Sequence, residues 1–164
     1  EKGFTSKMNS ERSSKGLGTM KMDPELGAVA RKHTAEMIKS NTLHHTSTTA
    51  LKRRVTNWVT LGENVGVGST VDTLHTAFMN SPGHRANVLN RAFTHGGVGA
   101  AAADGQMFQG YVQNTRMYTE LFMQANELVN RVLLGDRRER GRPTDEVRAP
   151  SPSGPLGAGT GVGL

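Results

Sequence analysis

"FMNSPGHRANVLN" (residues 78–90) closes one helix and opens another. Ser81 suits the N-cap and Pro82 the first helical position, after which Val88 and Leu89 fall on the inward side. His84 then lies in the first turn of the second helix. Capping accounts for Ser81 without any Ser81–His84 nucleophilic pair. What remains to explain is the imidazole set at a helix corner.

The preceding segment, "TVDTLHTAFMN" (70–80), has helical spacing, with Val71, Leu74, Phe78 and Met79 on one side and His75 at its border. Farther upstream, "MDPELGAVARKHTAEMIKSN" (22–41) is a clearer helix: Asp23 caps, Pro24 opens, and Leu26, Val29, Ala30, His33 and Met37 share a face. His33 there reads as a satisfied core histidine. Residues 4–18 read as a short helix ending at glycine. "TLHHTSTTALKRR" (42–54) reads as a polar loop, and "VTNWVTLGENVGVGS" (55–69) as loop and short strand broken by glycines. Downstream, "HGGVGAAAADGQMFQGYVQ" (95–113) reads as a β-hairpin turning at Asp104-Gly105. Leu121, Phe122, Ala125, Leu128, Val129, Val132 and Leu133 then make an apolar stripe that predicts an amphipathic helix over 117–134, closed by Gly135. That helix would bury its stripe on the domain, on a partner or on a second copy. Residues 136–164, rich in Pro, Gly and Arg, read as a disordered tail.

The chain has 164 residues, enough for one domain plus a tail. Its 35% hydrophobic content with 20 glycines comes near the ~45–50% apolar share of globular chains, so a packed core is expected. No run approaches the roughly 20 apolar residues of a membrane span. A start at Glu1 with no leader suggests either a trimmed chain or a mature product whose leader has been removed. The absence of cysteine excludes disulfides and thiolate metal sites. Up to Thr115 there are 13 Lys/Arg against 8 Asp/Glu, and beyond it 7 against 6, so the net +6 belongs mainly to the first part. That excess, densest at "LKRR" (51–54), makes a weak case for polyanion partners such as wall polymers, lipid surfaces or nucleic acid.

No HExxH, GxSxG or P-loop is present. The residues able to carry chemistry are dispersed: His44, His45, Glu63, His84 and His95. Imidazole and carboxylate are the ligands zinc takes when thiolates are missing, and they serve equally as general acid and base. Spacing leaves the plain readings open as well. "HH" could be solvated surface, and Glu63 could hold a turn through backbone N–H groups.

"NSERSSKGL", "LGAVARKHTAEM", "HHTS", "LGENVGVG", "FMNSPGHRANVLN" and "HGGVGAA" run in an order that resembles the bacterial branch of the CAP superfamily, the SCP domain, over residues 8–113. The resemblance implies an α+β fold, a three-layer α-β-α sandwich around a small antiparallel sheet, with a central cleft. It implies a domain over 4–115, with the extra helix (116–135) read above standing outside the family core and the tail (136–164) after it. It assigns the cleft's two histidines to His45 and His84 and its acid to Glu63, which in some members bind a divalent metal such as zinc. Asn64, Asn80, Ser81, His44 and His95 would lie beside them. The second acid of many eukaryotic members has no counterpart here, Phe78 stands where tryptophan is usual, and "MFQGYVQNT" matches the family's last strand poorly. The implied function is that of an extracellular or cell-surface binding module holding a lipid, glycan or peptide, with no organic cofactor. The alternative is a metal-dependent, peptidase-like hydrolase using the same cleft. Helix 117–134 would offer a route to an oligomer.

Overall fold

The computed structural model describes residues 1–103, 107–108, 111–112 and 115–126. In chain order the elements are α1 (Lys2–Ser14), β1 (Lys21–Met22), α2 (Pro24–Ser40), α3 (Thr48–Arg54), β2 (Trp58–Gly68), α4 (Val71–Asn80), α5 (Pro82–Val88), β3 (His95–Ala103), β4 (Met107–Phe108), β5 (Tyr111–Val112) and β6 (Thr115–Ala125). The main sheet has the order β1-β3-β6-β2. β6 runs antiparallel to both β2 and β3, and β1 adds a short parallel edge, so the sheet is mixed.

One face of the sheet carries α2. Asp23 caps that helix, its Oδ1 accepting from the Leu26 N–H at 2.9 Å, and Asn41 ends it in the left-handed region at φ 51°. Leu26, Val29 and Ala30 pack on Leu121, Met123 and Ala125 of β6. The helix comes this close because β3 presents Gly97 and Gly99 to it. A Cβ on Gly97 would strike the backbone of Leu26 and Gly27, and one on Gly99 would strike that of Ala30. The opposite face is covered by α1, α4 and α5, through Phe4, Leu74, Phe78 and Val98 in one cluster and Met8, Val88, Phe93 and Phe122 in another. The layers are therefore α-β-α, as the resemblance implies.

The second helical layer is locked by Arg12. Its guanidinium, 2% exposed, donates to the carbonyls of Gly18 (2.8 Å), Val88 (2.8 Å), Asn90 (2.9 Å) and Phe93 (3.0 Å). Two of these lie at and just past the C-terminus of α5, where unpaired carbonyls and the helix dipole favour a cation.

Several expectations need correction. Residues 115–125 are not an amphipathic helix but β6, the strand between β2 and β3. Both its faces are buried, Leu121 and Met123 under α2 and Phe122 under the other layer. A strand covered on both sides shows a continuous apolar run, which periodicity alone cannot distinguish from a helix. A domain closed at residue 115 would lack this strand, and an oligomer through a helical face at 117–125 has no such face. The rest of the expected helix and the tail lie outside the described residues. β3 does enter a hairpin, but its partner is β6, with Ala103 opposite Thr115, while Met107-Phe108 pairs with Tyr111-Val112 inside the connection. Asp104-Gly105 lies outside the described residues. The "polar loop" contains α3, a 7-residue helix capped by Ser47 and anchored by buried Leu51. The "short strand" is the 11-residue β2, whose glycines do not break it. Phe93 fills the space above Gly62, and Leu74 and Phe78 that above Gly66.

Gly99→Ala should destabilise the protein by about 3 kcal/mol or more in urea unfolding, since backbone cannot move aside for the added methyl. Gly18→Ala, where no atom lies within 4 Å of the added carbon, should change stability by less than about 1 kcal/mol.

Candidate functional site

β2 is the last strand of the sheet, and its alternation sends Glu63 to the α2 side and Asn64 to the α5 side. Glu63, with its side chain only 6% exposed, accepts from His45 Nδ1 at 3.0 Å and from the Thr46 N–H at 2.8 Å through the same oxygen, Oε1. Its other oxygen, Oε2, is buried without a protein partner. Burial raises the Glu63 pKa, but the hydrogen bonds from His45 and Thr46 and the charge of His33 outweigh it, so the carboxyl lies below its ordinary value. An ionised carboxylate can only accept, which places a proton on His45 Nδ1, so that in the neutral ring Nε2 is the open nitrogen. The His45 side chain is 38% exposed, so that nitrogen belongs to a reachable imidazole.

His84 arrives from the other side. It sits in the first turn of α5, buried, its ring lying against Phe78 at 4.7 Å between centroids. Burial, and secondarily the charge of His45, hold its pKa below the ordinary histidine value. The two imidazoles thus feel each other, although among the described residues no hydrogen bond joins the His84 ring to His45 or Glu63.

A buried polar knot holds the two halves together. Asn64 Nδ2 donates to the His84 carbonyl and to Glu120 Oε2, both at 3.1 Å. Asn87 Nδ2 donates to Asn64 Oδ1 at 2.9 Å and to the Glu63 carbonyl at 3.2 Å. Glu120, completely buried in β6, has its pKa pushed up to about 8 by burial, against the lowering effect of the Asn64 hydrogen bond.

The remaining expected residues lie around or away from this centre. His44 adjoins His45 but is turned to Thr42, its Nδ1 3.0 Å from that carbonyl. Asn80 ends α4 in an exposed position, and Ser81 occupies the N-cap of α5 without a side-chain cap bond. His95 begins β3, bonded to Thr94 Oγ1 at 2.9 Å, with β6 standing between it and β2. Asn87 and Glu120 were not anticipated. Asn87 could have been found, because it follows His84 by three positions on the same helix face, whereas Glu120 was hidden by the helical reading of its segment. A separate hollow of about 460 Å³ opens at the other edge of the sheet, lined by Lys2, Met22, Asp23 and Arg31 among others, and none of the three site residues lines it.

Two imidazoles and a carboxylate with an unpartnered oxygen suit zinc chemically. The spacing does not, since among the described residues no three His, Cys, Asp or Glu side chains are grouped closely enough to hold a metal ion. As they stand, the three are not a metal cage.

The family model described as the cysteine-rich secretory protein family (CAP) matches residues 5–115. The uncharacterized protein YkwD of Bacillus subtilis (strain 168) is 33% identical over 130 residues, which are 75% of this chain and 46% of that protein. This chain therefore spans about half of that relative's length. An extracellular protein containing a SCP domain from Bacillus anthracis str. Ames shares the fold at TM-score 0.59 and 28% identity, over 75% of this chain and 39% of that one. A cysteine-rich secretory protein from Staphylococcus aureus subsp. aureus Mu50 does so at 0.57 and 24%, over 74% and 37%. An outer surface protein from Borrelia burgdorferi has the same fold at 0.61 with 18% identity, over 76% of this chain and 91% of that one.

Glu120 makes the stability of the fold depend on pH. Its folded pKa, about 8, exceeds the ordinary carboxyl value, so between roughly pH 4.5 and 8 the native state keeps a proton that the unfolded state has released. Stability relative to Glu120→Gln should accordingly fall as pH rises through that window, by up to about 1.4 kcal/mol per unit, and level off above it. Urea midpoints of the two proteins at a series of pH values will show whether the gap varies.

Proposed function

The chain belongs to the CAP, or cysteine-rich secretory protein, family, and on that footing we propose that it is an exported binding module holding a polar glycan or peptide ligand at the free edge of β2. The observation that carries this reading is the His45–Glu63 pair. A buried carboxylate fixes the tautomer of a reachable imidazole, and a second imidazole, His84, lies within electrostatic range. Such a pair offers a ligand one hydrogen-bond acceptor, Nε2 of the neutral His45 ring, while Glu63 Oε2 stays buried. Export accords with the extracellular SCP-domain protein of B. anthracis and with the lack, among the described residues, of any helix long and apolar enough to cross a membrane.

The same pair favours a second reading, as a hydrolase. An imidazole oriented by a carboxylate has the make-up of a general base. A divalent metal would enter either reading only if His84 and the segment carrying His45 drew together around it.

Binding to immobilised glycans and peptides should weaken at least about tenfold in a His45→Ala/His84→Ala variant, a loss of roughly 1.4 kcal/mol. Binding that survives the double substitution unchanged refutes the site. Zinc should raise the melting midpoint of the parent and not of the variant if the segment closes on the ion; an unchanged midpoint in both disposes of the metal. Chelator-sensitive hydrolysis of a peptide or ester panel would move the conclusion to the enzyme.

A further inference from the structure

The segment carrying His45 belongs to no helix or strand. It leaves α2 at left-handed Asn41, where the Thr42 N–H closes on the Met37 carbonyl, and enters α3 at its cap, Ser47. Between those ends, among the described residues, its main chain is tied to the body of the fold at two points. One is the Thr46 N–H on Glu63. The other is the His44 carbonyl, 2.7 Å from His33 Nε2. Because a carbonyl only accepts, His33 Nε2 must carry the proton and donate.

His33 is well fixed for this task. It projects from the buried face of α2 and is 1% exposed. Its other nitrogen, Nδ1, faces Glu36 Oε2 at 3.7 Å, and Arg54 of α3 holds that carboxylate through both oxygens at 3.2 and 3.3 Å. The His33 ring also meets the His44 ring edge-on at 5.0 Å. A core histidine satisfied by any carbonyl would account for its burial alone. This carbonyl, however, belongs to the peptide unit that leads directly into His45.

We propose that His33 is a positioning residue for the site: its buried imidazole fixes the main chain at His44 and thereby sets where His45 meets Glu63. This matters for ligand binding only if His45 and Glu63 hold the ligand as proposed above, whereas the state of His45 can be read with no ligand present. The test is heteronuclear NMR of the full chain as His33→Leu, which removes the donor, and His33→Gln, whose amide can replace it. Two signals are followed: the tautomer of His45, from its ring nitrogen shifts, and hydrogen exchange at the Thr46 amide.

In His33→Leu, His45 should lose its preference for the Nδ1–H form, and Thr46 should exchange at least about tenfold faster. His33→Gln should restore both. Val29→Ala, which thins the same α2 core without touching the segment, should leave both as in the parent. Parent-like signals in His33→Leu, or equal shifts in Val29→Ala, overturn the proposal. Should His33→Leu not fold, the parent protein decides: a protected His33 Nε2–H together with a protected Thr46 amide supports the anchor, and free exchange at both refutes it. A chain whose His45 depends on His33 yet binds neither glycan nor peptide contradicts the binding reading and leaves the role of His33 intact.

Discussion

Everything near the site is referred to Asn64. Its side chain is fully buried and uses both N–H groups and its carbonyl at once, to His84, Glu120 and Asn87. The β2–β6 register sets Asn64 directly opposite Glu120, so the knot forms only when that pairing is correct. A leucine here would strip buried Glu120 of its amide donor, at about 1–3 kcal/mol, and would take one of its two acceptors from Asn87. An aspartate could not donate and would face another carboxyl. Through this one amide, the first turn of α5 has a single position relative to β2, and His84 inherits it.

Two buried ionisable groups show different solutions to the same difficulty. Neither Arg12 nor Glu120 has an ion-pair partner among the described residues. Arg12 keeps its charge because four carbonyls, partly from the C-terminal end of α5, turn their negative ends toward it. Glu120 has one amide donor and nothing positive nearby, so burial favours giving up the charge, and its pKa rises. Arg12 fastens the helical layer to itself through α1 and α5, while Glu120, as a neutral acid, lets that layer sit on the middle of the sheet. One holds by charge and the other by having none.

Much of the fold was legible in the sequence, for reasons that vary by element. The Asp23-Pro24 start of α2 and its apolar face were readable because capping and periodicity are local, and the corner at Ser81-Pro82 because proline opens a helix, although Ser81 makes no side-chain cap bond. β6 was not. Its Leu121, Phe122 and Ala125 fall at helical spacing as well as on a strand buried from both sides, and only the neighbours β2 and β3 decide between the two. The glycines of β2 misled for a similar reason: Gly62 and Gly66 look like breaks until Phe93, Leu74 and Phe78 are seen to occupy the space above them. At the site, His45 and Glu63 came from family resemblance, and the structure adds their hydrogen bond. Asn87, Glu120 and the anchoring role of His33 depend on contacts between residues far apart in the chain, which no spacing encodes.

The placement of the site at the outermost strand follows from strand geometry. Successive side chains on a strand point to opposite faces, so in the interior of a sheet Glu63 and the residues around Asn64 would act in separate compartments. At an edge the two faces meet, and a side chain from each can approach one ligand. An exposed edge is otherwise a hazard, since its unpaired backbone groups invite other strands. β2 is interrupted by a register shift between Trp58 and Thr60, where Val59 is 50% exposed, and at Glu63 the strand's own carbonyl accepts from the Asn87 amide. The α5 residue that takes up this edge carbonyl, Asn87, also bonds Asn64, so what occupies the edge at Glu63 also belongs to the knot that sets His84.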